Sequence, residues 1–304
     1  MRDHVAASGT RTARANGPLG KGAQRTFWRD MARSFRRNPA GMVGLILVLV
    51  FLVAAAWGEV ATPAGTNRTH LASRLRAPSA QHLLGTDGQG RDILNRVLAG
   101  APLALAVGVL SVAGGALIGC TLGLIAGYYQ GKVGAVIMRV VDALLAFPTL
   151  LLALAIMATL GAGLTNVMIA VGFSTLPRFA RMMQAEVLTI SGREFVTAAR
   201  SIGAPVRAIL VRHVLPNALS SVLVMATLYV STAILAEATL DFLGLGPQPP
   251  TPSWGSMIND GSSVLQLAPW VVLFPGLAIT LTVLGFSLVG DGLRDALDTR
   301  LRER

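Results

Sequence analysis

Side chains that could bind a metal ion or act as acids and bases are sparse in this sequence and follow no catalytic pattern. The four histidines are far apart: His4, His70, His82 and His213. His82, Asp87 and Asp92 are spaced too loosely for a metal site. Because no HExxH, GxSxG or GxxxxGK(S/T) pattern occurs either, we expect a non-catalytic chain that binds no metal ion and no cofactor itself.

A polar stretch between long apolar runs, residues 193–217, is the part of the chain best suited to bind another protein. Its first half predicts an amphipathic helix in which four apolar residues share a face: Phe195, Ala198, Ala199 and Ile202. Gly203 suits the end of that helix, Pro205 suits the first turn of a second helix, and Pro216 is expected to stop it. Such a unit fits a groove of a partner protein, although the spacing fits an ordinary surface loop equally well.

This stretch resembles the EAA signature of permease subunits in binding-protein-dependent ABC importers. Its wording, AARSIGA…RHVLPN, is similar to the oligopeptide, dipeptide and nickel branch, and the matching residues are Ala198, Ala199, Gly203, Leu215 and Pro216. Thr197 departs from the pattern, because the family often has a glutamate there, and Glu194 lies one helical turn earlier. The resemblance implies that this loop is the coupling helix, which docks into a cleft of the cytoplasmic ATPase.

The composition predicts a polytopic, all-α membrane protein, since 53% of the residues are hydrophobic and only 13% are charged. Uncharged runs predict six transmembrane helices, within residues 38–58, 97–131, 143–177 (two helices with a turn at 161–166), 213–236 and 261–290. The resemblance implies the type I ABC importer permease fold. The expected parts are a basic cytoplasmic tail with an interfacial helix (1–37), a first transmembrane anchor (38–60), an outer loop (61–96), a five-helix permease core (97–290) that contains the coupling loop, and a cytoplasmic C-terminal tail (291–304).

The basic side chains predict the orientation. Of the 26 Lys and Arg residues, 21 fall on the side that holds both termini and residues 193–217, and five fall on the other side. The positive-inside rule therefore predicts cytoplasmic N- and C-termini. Because the net charge of +11 is concentrated beside the membrane, we expect contact with anionic lipids and no nucleic-acid binding. The predicted lipid-facing helix contains Phe27, Trp28, Met31 and Phe35.

Small residues recur at every fourth position of the second predicted span: Ser111, Gly115, Gly119, Gly123, Gly127 and Gly131. Such spacing lets a neighbouring helix approach closely in a membrane. That neighbour belongs either to this subunit or to a second subunit, and the sequence does not separate the two cases.

Charged residues near the ends of the predicted spans are interpreted as structural. We expect Arg139 to pair with Asp142, and Arg178 and Arg181 to reach toward the inner membrane surface. Glu237 and Asp241 are interpreted as anchors at the outer end of the fifth span. Four residues of that span are candidates to face a translocation path: Met225, Tyr229, Ser231 and Thr232.

Two predicted outer segments, GTDGQGRD before the second span and FLGLGPQPPTPSWG after the fifth, resemble the same branch, as does the closing GDGLRDALD. The basic tail, Asn38-Pro39-Ala40 and the first span resemble its C-type subunit. By physics alone, the first segment is a capped loop that fixes the start of the second span, and the second is a stiff loop or an interfacial belt. The resemblance makes Asp87, Arg91, Asp92 and Trp254 candidate contacts for a binding protein.

The resemblance also implies the partners. They are a second permease subunit that forms a heterodimer with this chain, two ATPase subunits that use ATP and Mg, and an extracytoplasmic peptide-binding protein, all at the bacterial cytoplasmic (inner) membrane. The branch serves dipeptides, oligopeptides, glutathione-like peptides and nickel chelates, and the sequence does not choose among them. A stand-alone secondary carrier should show inverted repeats and mid-membrane charges, which we do not find. A non-transporting scaffold would use the same amphipathic loop.

Overall fold

The computed structural model describes residues 31–61 and 68–302, and this part of the chain is helical apart from its loops and one isolated β-bridge, Thr86 with Asp92. The helices are α1 (Pro39–Ala61), α2 (Ile93–Tyr128), α3 (Lys132–Leu145), α4 (Thr149–Leu160), α5 (Leu164–Ser191), α6 (Glu194–Ser201), α7 (Val206–Ile209), α8 (Leu215–Phe242), α9 (Trp254–Ser262) and α10 (Trp270–Arg302). A 3-10 helix (Leu71–Ser73) precedes α2, a π-helical turn (Leu210–Val214) joins α7 to α8, and residues 31–37 are also helical. The all-α prediction is confirmed for the described residues, whereas Phe27, Trp28 and most of the predicted basic tail lie outside them.

Four helical stretches are long and apolar enough to cross a membrane: α1, α2, Val206–Phe242 and α10. α3 and α4 form a fifth if they are counted as one span, because they are bent by 92° at the break between them. α4 alone has 12 residues, about 18 Å of helix, which is shorter than the roughly 30 Å hydrocarbon core of a bilayer. α5 is long enough but contains Arg178, Arg181 and Glu186. The number of six spans therefore stays a prediction.

The boundaries of two predicted spans need correction. The second span begins at Ile93 rather than at residue 97, because Asp92 caps α2 by accepting a hydrogen bond from the Asn95 amide. The last span begins at Trp270 rather than at residue 261, since residues 254–262 form the separate helix α9 and Pro269 stands just before α10. The predicted turn between the third and fourth spans is confirmed, because α4 ends at Leu160 and α5 starts at Leu164.

The glycine stripe of α2 lies against α5 of the same chain. A β-carbon added at Gly115 would lie 2.5 Å from the Gly172 carbonyl oxygen, and one added at Gly119 would lie 2.8 Å from Phe179 Cβ. Gly123 and Gly127 meet Met183 and Val187 of α5 in the same way, each at 2.8 Å from the Cβ atom. The tight helix contact is therefore within this subunit, and α2 and α5 form the centre of the core.

The two ends of the described chain lie side by side. α1 packs against α10, where a β-carbon at Gly44 would meet Leu288 Cβ at 2.6 Å and the Gly285 carbonyl oxygen at 2.8 Å. Asn38, just before α1, donates a hydrogen bond of 2.9 Å from Nδ2 to Asp295 Oδ2, near the end of α10. The start of the first helix and the end of the last are thus on the same side of the molecule.

Candidate functional site

The coupling segment, defined as residues 193–217, has the predicted helix–glycine–helix form. α6 ends where Gly203 adopts a left-handed conformation with φ of +76°, which a glycine reaches without strain. The Ala204 amide then donates a hydrogen bond of 3.1 Å back to the Ala199 carbonyl, and the extended Pro205 precedes α7. The loop therefore turns on the residues that the sequence marked.

Contrary to the prediction, Pro216 does not stop the second helix. It lies in the first turn of α8. The π-helical turn Leu210–Val214 precedes it, and there the Leu215 amide donates to the Leu210 carbonyl, five residues back. A proline inside an α-helix clashes with the carbonyl four residues earlier, and the wider π spacing makes room for its ring. The chain is consequently helical without interruption over Val206–Phe242.

The apolar residues of α6 are divided between two faces, which corrects the single predicted face. Val196 and Ala199 are buried in a cluster with Met183 of α5 and with Ile209, Val214 and Ala218 of the following helices. Phe195, Ala198 and Ile202 remain on the outside, and Phe195 and Ile202 are 41% and 85% exposed. The predicted face was wrong for Ala199, because α6 packs that residue onto its own chain and leaves Ala198 exposed.

The other predicted coupling residues surround this exposed stripe. Glu194, Thr197, Gly203 and Pro216 are exposed, and Leu215 is half-buried. The Thr197 hydroxyl donates a long hydrogen bond of 3.4 Å to the carbonyl of Arg193. Four exposed arginines, Arg193, Arg200, Arg207 and Arg212, make the surface of the segment cationic. The segment therefore presents a short apolar ridge with a basic surround.

One contact joins the coupling segment to α2, and a second, just beyond the segment, joins the start of α8 to α5. The Arg200 guanidinium lies 5.4 Å from the ring centroid of Tyr128, the last residue of α2. Near the start of α8, the Ser221 hydroxyl donates a 2.6 Å hydrogen bond to Glu186 of α5. Through these contacts and its own continuation into α8, the segment is connected to α2, α5 and α8.

At the opposite end of the molecule, the GTDGQGRD segment folds around a buried carboxylate. Asp87 Oδ1 accepts from the amides of Gln89 and Arg91 at 2.8 and 2.9 Å, and Oδ2 accepts from Arg91 Nε at 2.6 Å. Arg96 Nε lies 3.6 Å from the same carboxylate, and Arg91 reaches Asp260 of α9 at 3.6 Å. These contacts hold the segment, α9 and the start of α2 together. This is expected for a loop that fixes the start of α2.

The second outer segment is anchored by a buried indole. Trp254 is 1% exposed, its Nε1 donates a 2.9 Å hydrogen bond to the Val97 carbonyl, and its ring meets Phe51 edge-on at 5.8 Å. Asp87 and Arg91 are buried as well, and Asp92 is partly buried. A contact of these four residues with a binding protein stays a prediction. Within this chain, the four residues connect the two segments to the neighbouring helices.

The structure corrects the interpretation of the carboxylates at the end of α8. Glu237 and Asp241 are both buried instead of serving as interfacial anchors. The loop before α9 and the helix itself pack against Asp241, since a β-carbon at Gly255 would lie 2.6 Å from Asp241 Cβ. Sequence patterns could not show this, because the covering residues lie in another segment.

The arginines of α5 also differ from expectation. Asp142 pairs with Arg181 rather than with Arg139, within the part of the chain that the structure describes. Arg178, midway along α5, does not extend toward a membrane surface. Its guanidinium donates hydrogen bonds to the hydroxyl groups of Thr149 and Tyr229. Tyr229, a candidate to face a translocation path, is thus one of the two hydroxyl partners of this arginine.

Comparison with known proteins identifies the family. The profile of the binding-protein-dependent transport system inner membrane component matches residues 119–303, and that of the N-terminal TM domain of oligopeptide transport permease C matches residues 26–78. The chain is 45% identical over 275 residues to a dipeptide transport system permease protein of Alkalihalophilus pseudofirmus, covering 90% of each chain. It is 44% identical over 279 residues to a glutathione transport system permease protein of Pectobacterium atrosepticum, covering 91% of this chain and 93% of that protein. A glutathione transport system permease protein of Escherichia coli is 46% identical over 287 residues, with 94% and 95% covered.

These matches confirm the resemblance read from the coupling segment and the outer segments, and they span nearly the whole chain. The N-terminal match also confirms that the chain resembles the C-type permease subunit, as the first span indicated. The chain belongs to the family of binding-protein-dependent transport system inner membrane components, and it is a permease subunit of an ABC importer.

Proposed function

We propose that this chain forms, with a second permease subunit, the translocation path of an ATP-dependent importer for small peptides. Two ATPase subunits that use ATP and Mg drive it, and an extracytoplasmic binding protein delivers the peptide. The relatives named above are dipeptide and glutathione permeases, which supports a peptide of two or three residues as the substrate class. Dipeptides and glutathione both carry ionisable terminal groups.

The proposed membrane arrangement has six spans in the bacterial inner membrane. It counts the α3–α4 pair as one bent span and adds α5 to the four long apolar stretches. Long contact of α5 with α2 along the glycine stripe supports this, because α2 is itself apolar enough to cross. Both termini and the coupling segment then lie in the cytoplasm, an orientation supported by the excess of Lys and Arg on that side. In this arrangement the outer loop ends at Asp92, just before α2 begins, and the cytoplasmic C-terminal tail is the last part of α10.

The observation that carries the proposal is the exposed apolar ridge on α6, formed by Phe195, Ala198 and Ile202. A ridge with only one small residue at its centre lets the helix backbone come close to a partner's groove. The buried face of the same helix, with Val196 and Ala199, transmits the partner's movement to α5 and α8. Closure of the ATPase subunits around ATP would thereby move the long helices and alternate access to the path.

The test is co-purification of the ATPase with the full-length chain after Ala198→Asp. A carboxylate in the middle of the docked ridge loses its hydration without a partner, and burying an unpaired polar group costs about 1–3 kcal/mol in proteins, or roughly 5- to 150-fold in affinity. We expect ATPase recovery to fall accordingly, while membrane insertion of the chain is unchanged.

Thr197→Glu is the matched control. It adds the same charge one residue away, on an exposed position outside the ridge where the family often has glutamate, so ATPase recovery should stay at the parental value. Ala199→Asp should instead lower the yield of folded chain, since Ala199 is buried against its own subunit. Parental ATPase recovery with Ala198→Asp would exclude the ridge as the docking surface.

A further inference from the structure

One polar cluster lies apart from the coupling segment and from the outer segments. The Arg178 site, defined as Arg178 of α5, Thr149 of α4 and Tyr229 of α8, joins three helices through one guanidinium. Arg178 donates from Nη1 to the Tyr229 hydroxyl at 3.2 Å and from Nη2 to the Thr149 hydroxyl at 2.7 Å. Its guanidinium carbon also lies 5.9 Å from the centre of the Tyr229 ring. The arginine head group is thus fixed in one direction.

Two of the three residues of the site lie far from the ends of their helices, whereas Thr149 is the first residue of α4. Arg178 is midway along α5 and Tyr229 is midway along α8, each about 20 Å from the helix ends at 1.5 Å per residue. Arg178 is nevertheless exposed on the surface of this chain. An exposed arginine at this depth faces a path or a partner, because charged side chains within membrane proteins are rare and mark such positions.

The side chains that the structure describes offer Arg178 no carboxylate to balance its charge. Among the side chains described in residues 31–57 and 68–297, no carboxylate oxygen lies within 4.0 Å of its guanidinium nitrogens. Arg181, three residues further along α5, is by contrast paired with Asp142. The two arginines therefore have different roles, and Arg178 has kept its charge available for an anion from outside the chain.

The donors of the site match a carboxylate. A guanidinium has five N–H groups in a planar fork, of which two are used here, so the remainder can bind a carboxylate in a bidentate manner. Thr149 and Tyr229 accept from Arg178 and can each donate their own hydroxyl hydrogen to the same ligand. Thr149 is also the first residue of α4, whose first turn has no side-chain cap and adds the positive end of a helix dipole.

We propose that the Arg178 site binds the C-terminal carboxylate of the peptide as it passes through the membrane. This inference rests on the proposed peptide importer and adds a recognition point on this subunit. Because the hydroxyl groups hold the guanidinium before any ligand arrives, the site is ready for a substrate that binds briefly and leaves. Its three members come from α4, α5 and α8, so a relative movement of these helices would open or distort the site and release the carboxylate.

The experiment uses the complete importer, reconstituted in proteoliposomes with its second permease, ATPases and binding protein, and measures uptake of radiolabelled dialanine and ATP hydrolysis together. Arg178→Gln should lower the number of dialanine molecules moved per ATP by about 10- to 100-fold, the loss typical of hydrogen bonds to a charged group. Binding-protein-stimulated ATP hydrolysis and recovery of the second permease should remain at parental values. Arg181→Gln is the matched control, and it should leave dialanine uptake per ATP within about twofold, because the group facing Arg181 is a carboxylate of the same chain.

Tyr229→Phe and Arg178→Lys cover the case in which Arg178→Gln does not assemble. Tyr229→Phe keeps the shape of the side chain, Arg178→Lys keeps the charge, and each removes part of the donor set. Each should lower dialanine uptake per ATP several-fold, the effect expected for the loss of roughly one hydrogen bond. Parental uptake in these two variants would overturn the proposal. Loss of the second permease from Arg178→Gln, with full uptake by Tyr229→Phe, would also overturn it, since Arg178 would then pair with a carboxylate of that subunit. Failure of the parent importer to take up dialanine, with its subunits assembled, would instead count against dipeptides as its substrate.

Discussion

Gly123, near the C-terminal end of α2, provides the sharpest test of how the core is packed. A β-carbon at this position would lie 2.8 Å from Met183 Cβ and 3.0 Å from the Ala180 carbonyl carbon of α5, and it would also contact the Ala180 carbonyl oxygen. Non-bonded carbon atoms are at their optimum about 3.5–4.0 Å apart, so the shortfall is about 0.7–1.2 Å. The opposing atoms belong to backbone and to a Cβ, and neither can rotate away. Gly123→Ala must therefore push α2 and α5 apart.

The cost of this separation can be isolated with a second glycine of the same helix. Overpacking a well-filled core costs about 1–3 kcal/mol. Alanine is also the better helix former by about 1 kcal/mol, which partly offsets the cost. Gly114 is exposed, and a β-carbon added to it would meet no atom within 4 Å, so Gly114→Ala gains the helix propensity without the clash. We expect Gly123→Ala to be less stable than Gly114→Ala by about 1–3 kcal/mol.

The assay is thermal unfolding of the full-length chain in detergent, followed by tryptophan fluorescence. With about 2–4 °C of midpoint shift per kcal/mol for chains of this size, the two variants should differ by about 2–12 °C, with Gly123→Ala the lower. Equal midpoints for the two variants would refute the reasoning, because α5 would then not lie against the glycine stripe. Leu or Val at Gly123 should lower the midpoint further.

Substitutions at two further positions test the predicted outer end of the molecule. Asp87→Asn should lower the free energy of unfolding by about 3–5 kcal/mol, because it leaves the buried Arg91 and Arg96 facing a neutral amide; an unchanged unfolding midpoint would contradict the buried ion pairs. Trp254→Ala should cost about 3–5 kcal/mol and Trp254→Phe about 1–3 kcal/mol, since phenylalanine keeps most of the packing but leaves the Val97 carbonyl without the indole donor. An unfolding midpoint of Trp254→Phe equal to that of the parent would exclude a stabilising role for that hydrogen bond, and equal midpoints for the two variants would exclude one for the packing of the ring.

The coupling segment shows which features the sequence could predict. Gly203 and Pro205 act through the conformations of their own backbones, so their places at the end of α6 and before α7 followed from residue type alone. The exposed face of α6 did not follow, because Ala198 and Ala199 are the same residue type. Only the position of Met183 and Ala218, which come from elsewhere in the chain, decides that Ala199 is the buried one.

Charged residues were harder to predict for the same reason. Arg139 and Asp142 have the spacing of a helical ion pair, yet Asp142 pairs with Arg181 because α3 packs beside α5. The burial of Asp241 depends on α9 packing against the end of α8, which no local pattern indicates. Periodicity and charge bias identify helices and their environment, whereas the partner of a given charge depends on contacts distant in sequence.

α8 links the two sites that the importer needs. It starts in the coupling segment, hydrogen-bonds to α5 through Ser221 and Glu186, and meets α5 again at Tyr229 and Arg178, about 20 Å from its first turn. A helix with unbroken backbone hydrogen bonds moves as a unit, so a displacement at its start reaches Tyr229. The π-helical turn Leu210–Val214 stands at that start, and such turns often occur where a helix must adjust. If an ATPase moves the coupling segment, as proposed, the Tyr229 hydroxyl would shift relative to Arg178, and ATP hydrolysis would thereby be coupled to release of the peptide carboxylate.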